Sequence, residues 1–168
     1  MEWLEQQRGY QMSLTLEEVI DHIRNRSYMS GVQRTQARVK ATGEVFTPTE
    51  LVREVLGNMN IEKFTDPEKT FLDPACGDGQ FLGEVLIRKM ENGSTFEQAL
   101  STIYGVDLMQ DNVDLCRERL LCGRTDLAHI VERNIVCHDA LTYDYSFNGT
   151  NMNQTELTWS NLFTFEEA

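Results

Sequence analysis

No apolar stretch among the 168 residues approaches the roughly 18 that a membrane span requires. Met1 is followed by Glu2 and a polar run instead of a basic region and an apolar core, so no secretory signal is expected. The four cysteines, Cys76, Cys116, Cys122 and Cys137, show no CxxC spacing and no paired His tract. That excludes the usual zinc patterns and leaves reduced, mostly buried thiols as the expectation. Basic charge is scarce as well: 15 Lys and Arg stand against 27 Asp and Glu, a net charge of -12. Broad, unaided binding to nucleic acid is therefore not expected, because phosphate contacts need clustered cations. No internal repeat is visible. What remains, 40% apolar residues with a mean hydropathy of -0.41, is ordinary for a soluble chain. The length suits one domain with its own core and is short for two.

The few cations are unevenly spread. Between Asp21 and Glu44 there is no acid, while Arg24, Arg26, Arg34, Arg38 and Lys40 make a local +5. Such a run is either a solvated face or a contact to phosphate or an acidic partner.

Helix signals come first along the chain. Thr15-Leu16-Glu17-Glu18 is a capping box, and Leu16, Val19, Ile20 and Ile23 fall on one helical face behind it. Met1 to Ser13, with Trp3, Leu4 and Tyr10 as anchors, reads as a short helix or an arm. A second capping box is predicted at Thr47-Pro48-Thr49-Glu50, with proline at the first helical position. Its helix carries Leu51, Val52, Val55, Leu56 and Met59 as an apolar stripe and ends near Gly57-Asn58.

From Lys69 the pattern becomes strand, turn, helix, repeated. Thr70–Leu72 reads as a short buried strand, and Phe81, Leu82, Val85, Leu86 and Met90 give helical spacing after a glycine turn. Ser94–Leu100 reads as a short helix, Thr102–Val106 as a strand ending at Asp107, and the next helix turns Val113, Cys116 and Leu120 inward. Asn134–Cys137 is a third strand ending near Asp139. Beyond Leu141 the chain is rich in Asn, Thr, Gly and Tyr and reads as a long loop to Ser160, with Leu162–Phe165 as a candidate final strand. Strands alternating with helices imply an α/β fold with a parallel sheet and right-handed crossovers. Ligands sit at the carboxyl ends of such strands, where this chain delivers Asp73, Asp107 and Asp139.

Phe71-Leu72-Asp73-Pro74-Ala75-Cys76-Gly77-Asp78-Gly79-Gln80-Phe81-Leu82 carries the most chemistry. Gly77 and Gly79 let backbone approach a ligand closely, and the N–H groups at the following helix start favour a negative group such as a carboxylate. The alternative is a plain strand-to-helix turn. Asp107 suits the two hydroxyls of a ribose or caps the next helix; Asp139 suits an exocyclic adenine amine or caps a turn.

In order along the chain, Gly43-Glu44-Val45-Phe46-Thr47-Pro48, Asp73 to Gly79, Gly105-Val106-Asp107 and Asn134 to Leu141 resemble the cofactor motifs of the adenine-N6 DNA methyltransferases. The Phe-Thr-Pro element precedes the glycine loop, as in the gamma arrangement and in type I restriction-modification subunits. The resemblance covers about Ala41 to Leu141. It implies a partial Rossmann-like fold of the S-adenosylmethionine-dependent methyltransferases. In residue numbers, it divides the chain into a helical segment with a basic stretch over 1–40, a cofactor-binding core over 41–141 and a polar tail over 142–168. By the same resemblance, Phe46, Thr47 and Pro48 would line the methionine and adenine part of S-adenosylmethionine. Asp73 and the loop from Ala75 to Gly79, with Pro74, Cys76, Gly77 and Phe81, would hold its amino-acid moiety. Asp107 would bind the ribose, Leu108 the adenine face, and Asp139 with Ala140 the adenine edge.

The family's catalytic motif is an Asn or Asp, two prolines and an aromatic at the end of a fourth strand, where it holds a target base taken out of the duplex. The only prolines here are Pro48, Pro67 and Pro74, all before the third strand, so no catalytic residue is assigned and the chain reads as truncated before that motif. In the family the fourth strand lies beside the first. The expectation is therefore that residues near Leu157 to Phe165 cover that edge, or that the protein associates with itself or with a complementing subunit. DNA would be met weakly or through a partner, in a bacterial or phage-infected cytoplasm. Two functions follow: the cofactor-binding part of an adenine-N6 DNA methyltransferase completed elsewhere, or a methyltransferase-like protein that binds S-adenosylmethionine or a protein partner in a regulatory role.

Overall fold

A computed structural model describes residues 13–25, 36–42, 44 and 47–148. Helix α1 (Leu16–Arg24) starts at the capping box read from the sequence: the Glu18 N–H donates to Thr15 Oγ1 at 3.3 Å, and the Thr15 N–H donates to Glu18 Oε2 at 2.8 Å. Val19 and Ile23 are buried, and Leu16 and Ile20 pack against the core. A short helix α2 (Gln36–Thr42) follows, which the sequence reading did not include.

Helix α3 (Thr49–Gly57) lacks the predicted capping box. Pro48, with ψ 142, is the N-cap itself and has no side-chain oxygen to offer. The helix thus starts one residue later than expected, which moves Glu50 out of the position that reaches back. The Thr49 hydroxyl donates instead to Gln80 Oε1 at 3.4 Å. Only part of the predicted stripe is covered: Val52 and Leu56 are buried and Met59 packs on the core, whereas Leu51 and Val55 are 48% and 44% exposed. Val52 and Leu56, four apart, share one line along the helix; Leu51 and Val55 lie one residue, about 100°, around from it. The short helix α4 (Glu62–Thr65) carries Phe64 into the core, where its ring stacks on Phe71 with centroids 5.1 Å apart.

Strands β1 (Phe71–Asp73), β2 (Ile103–Asp107) and β3 (Ile135–Cys137) form a parallel sheet in the order β1-β2-β3. Helices α5 (Gln80–Glu91) and α6 (Phe96–Ser101) connect β1 to β2. Helix α7 (Gln110–Leu121), a 3-10 turn (Thr125–Leu127) and α8 (Ala128–Asn134) connect β2 to β3. This is the expected parallel sheet flanked by helices, a partial Rossmann-like methyltransferase fold. Phe71, Ile103 and Ile135 join the helices in one hydrophobic core. On the opposite face Tyr104 meets Phe147 at 4.8 Å, and the loop bearing Phe147 also packs Tyr143 and Tyr145 together. The expectation of a buried first strand is not met: among the described residues β1 pairs only with β2, and Leu72 is 49% exposed. The tail proposed to cover that edge, Leu157 to Phe165, lies outside the described residues, as does the arm from Met1 to Met12.

Two charged side chains of α5 are buried. Glu84 accepts both Arg24 Nε and Nη2 at 2.9 Å, tying α1 to α5. Lys89 spends its three N–H donors on Pro67 O at 3.1 Å, Lys69 O at 2.6 Å and Thr102 Oγ1 at 2.6 Å, pinning the approach to β1 against the approach to β2. Burial pushes the Lys89 ammonium below the ordinary lysine range, opposed by Asp66 and Glu68. Val113, Cys116 and Leu120 of α7 point inward as predicted. Cys76, Cys116 and Cys122 are buried. No helix among the described residues is long and apolar enough to cross a membrane.

Candidate functional site

The chain leaves β1 at Asp73 and turns at once. Asp73 Oδ1 accepts the Ala75 N–H at 3.0 Å, and the Cys76 N–H donates to Val106 O at 2.9 Å, folding the loop back over β2. Gly105 makes that fold possible: a Cβ there would lie 2.9 Å from Cys76 Sγ and from Leu82 Cδ1. The Gly77 N–H then donates to Asp107 Oδ2 at 3.0 Å, and Gly79, at φ +87, starts α5. Between this loop, the strand tips and Thr42, Glu44 and Thr47 lies a cavity of about 420 Å³.

Of the residues expected at a ligand, Thr47, Asp73, Pro74, Ala75, Cys76, Gly77, Phe81, Asp107, Leu108, Asp139 and Ala140 line this cavity. Phe46 lies outside the described residues. Pro48 is not among the lining residues, and neither is Gly79. A Cβ at Gly79 would meet Cys116 Sγ at 2.8 Å, so this glycine serves the contact between the start of α5 and α7 as well as its left-handed backbone. The expectation that both glycines bring backbone to a ligand holds in position only for Gly77. The sequence reading missed Thr42, Glu44, Asp78, Gln80, Met109 and Asn112, which also line the cavity. Glu44 and Asp78 sit inside the quoted motifs, a signal that was available; Asn112 reads as an ordinary polar helix residue.

The three strand-tip acids differ in what holds them. Asp107 accepts the Met109 N–H at 2.9 Å and Asn112 Nδ2 at 3.0 Å on Oδ1, besides Gly77 on Oδ2. It closes the turn into the next helix, whose N-cap Met109 has no side-chain cap, and it lines the cavity; the helix-cap reading of this residue is not borne out. Burial pushes the Asp73 carboxyl above the ordinary range, the Ala75 N–H opposes this, and the neighbouring Asp107 adds to the rise. Asp139 is exposed and holds a turn, accepting the Leu141 N–H at 2.9 Å. The hydrogen bond with Cys116 and burial push the Cys76 thiol well above the ordinary range, which disfavours its thiolate.

Charge decides which ligands suit the cavity. Among the described residues, its wall carries Glu44, Asp73, Asp78, Asp107 and Asp139, and neither Lys nor Arg. Asp78 is paired with the buried Arg119 at 2.8 Å, and Glu44 with Arg38 at 2.7 Å. A di- or triphosphate would meet carboxylates without a cation, whereas an ammonium or sulfonium group and sugar hydroxyls find acceptors. At the other end of the loop, the first turn of α5 offers N–H groups to a carboxylate. Among the described residues, no group of three or more His, Cys, Asp or Glu is placed to hold a metal ion. Where the basic stretch is described, two of its arginines are engaged within the chain. Arg24 pairs with Glu84, and Arg38 with Glu44 and with Asp111 at 2.6 Å. Lys40 is exposed, and Arg26 and Arg34 lie outside the described residues.

Comparison with known proteins gives the same direction. A family model for N-6 DNA methylases matches residues 29–162, a span that includes every motif named above. No solved structure matches the chain significantly.

Proposed function

The chain belongs to the N-6 DNA methylase family, and we propose that its residues 41–141 are the S-adenosylmethionine-binding core of an adenine-N6 DNA methyltransferase. The observation that carries this reading is the acid-lined cavity at the carboxyl ends of three parallel strands, with neither Lys nor Arg along its wall among the described residues. S-adenosylmethionine brings an ammonium, a carboxylate, a ribose and an adenine beside its sulfonium, and this wall offers a match to those four. Asp73 takes the ammonium, the N–H groups of the glycine loop and the α5 start take the carboxylate, and Asp107 takes the ribose hydroxyls. Leu108, 61% exposed beside the cavity, covers the adenine face, and Asp139 with Ala140 meets its edge. Bound there, S-adenosylmethionine supplies an electrophilic methyl group; the residues described here orient it and do not touch the acceptor amine.

The 168 residues contain no adjacent prolines. The residues that hold the target amine are accordingly proposed to come from outside this segment, in a partner or in a further stretch of polypeptide, and methyl transfer to DNA depends on them. The same observation favours a second reading, a methyltransferase-like protein that binds S-adenosylmethionine for regulation. Calorimetric titration of S-adenosylmethionine into the 168-residue chain is expected to give saturable one-site binding. Asp107→Ala should weaken it about tenfold or more. Absence of both heat and thermal shift contradicts the proposal. Methyl transfer to DNA by the chain alone contradicts the outside origin of the amine-holding residues.

A further inference from the structure

We propose that Glu44 and Asn112 are positioning residues for ribose recognition, fixing the Asp107 carboxylate and coupling ligand affinity to the docking of helix α2; this rests on the S-adenosylmethionine reading above. An aspartate carboxylate has a broad χ2 and holds no orientation unless something grips it. Here Asn112, 1% exposed, donates one Nδ2–H to Asp107 Oδ1 at 3.0 Å and the other to Glu44 Oε1 at 2.8 Å. An amide nitrogen bridges two carboxylates in this way without adding charge; an acid at 112 would add a third negative group and remove both donors.

Two like charges around one amide need a counter-charge, and α2 provides it. Arg38 grips Glu44 through Nε at 2.7 Å and Nη2 at 2.8 Å, and grips Asp111 through Nη1 at 2.6 Å and Nη2 at 2.9 Å. Glu44 is thus held by α2 on one side and by the first turn of α7 on the other. With the Gly77 N–H on Oδ2, the plane of the Asp107 carboxylate is set from both oxygens, and its remaining acceptor capacity is directed at the cavity. Coupling of this kind is reciprocal: ligand that engages Asp107 should steady α2, and loosening α2 should weaken ligand.

The test compares S-adenosylmethionine with its 2′,3′-dideoxyribose analogue, titrated calorimetrically into the wild-type chain, Asn112→Ala and Glu44→Ala. Each variant should lose about tenfold in affinity for S-adenosylmethionine and less than about twofold for the analogue, because the relay acts through the ribose contact. Hydrogen exchange should show S-adenosylmethionine protecting residues 36–42 in the wild type and not in Asn112→Ala. Wild-type affinity retained by both variants overturns the inference, and so does an equal loss for the two ligands, which marks a merely structural role. Should Asn112→Ala fail to fold, Glu44→Ala, outside the hydrophobic core, carries the same comparison. No binding by the wild-type chain would instead overturn the cofactor reading, and the relay with it.

Discussion

Lys89 in the helical layer and Asp107 at the strand tips are both withdrawn from bulk water, and their partners differ in kind. Lys89 has three donors and three protein acceptors, two of them backbone carbonyls, so nothing is left over. Asp107 also has three partners, but a carboxylate offers roughly four acceptor positions, and its side chain borders a cavity. A buried charge with every position used holds the fold together. One with a position left over, facing a cavity, is placed to meet a ligand. Glu84, paired with Arg24 and away from the cavity, belongs to the helical layer by this criterion; Asp73 and Asp107, which line the cavity, belong to the rim.

Substitutions in the two regions should separate stability from binding. The largest effect is expected at Lys89→Met, which keeps the bulk and removes the donors to Pro67, Lys69 and Thr102. Urea unfolding should show a loss of about 3 kcal/mol, with the affinity of the folded fraction for S-adenosylmethionine changed less than about twofold. A loss under about 1 kcal/mol would mean that water replaces the ammonium freely and that the contrast is false. Gly79→Ala comes next, at about 2 kcal/mol, because it meets both the contact with Cys116 and a left-handed backbone. Its effect should also be on unfolding before binding, which distinguishes it from a glycine that touches ligand. Asp107→Ala should reverse the pattern, with about tenfold weaker binding and about 1 kcal/mol of stability lost with the hydrogen bonds from Gly77, Met109 and Asn112.

The smallest effect concerns pH. The folded Asp73 carboxyl titrates above its unfolded value, so the fold favours the protonated form. Its relative stabilisation is present below the unfolded value and is lost as pH rises through the folded one. Asp73→Asn keeps an acceptor for the Ala75 N–H and removes the ionisation. The variant should therefore be more stable than wild type near neutrality, by under about 1 kcal/mol, with the gap closing as pH falls below about 4. A gap that persists unchanged at low pH would show that burial of the charge is not its origin.

The features legible in sequence are those set by local chemistry. The box at Thr15 and Glu18, the inward line of Val113, Cys116 and Leu120, and the three strand-tip acids each depend on residues close in the chain. Periodicity marked Leu51, Val52, Val55 and Leu56 as one stripe, but it does not tell which line of a stripe a neighbour covers. Leu72 was misread for a related reason: an apolar run says strand, not whether the strand lies at an edge. Helix α8 escaped because its seven residues carry no side-chain cap and too little period to see. Lys89 and Glu84 look like solvated helix charges until distant partners are known. The bond from Asn112 to Glu44 spans 68 positions, and nothing local announces it.

The central claim is that the cavity accepts a cationic nucleoside and rejects a phosphorylated one. It is tested most directly by titrating S-adenosylmethionine and, separately, ATP into the same preparation of the 168-residue chain. The account predicts saturable binding of S-adenosylmethionine and no detectable binding of ATP. Binding of ATP with no binding of S-adenosylmethionine would contradict it.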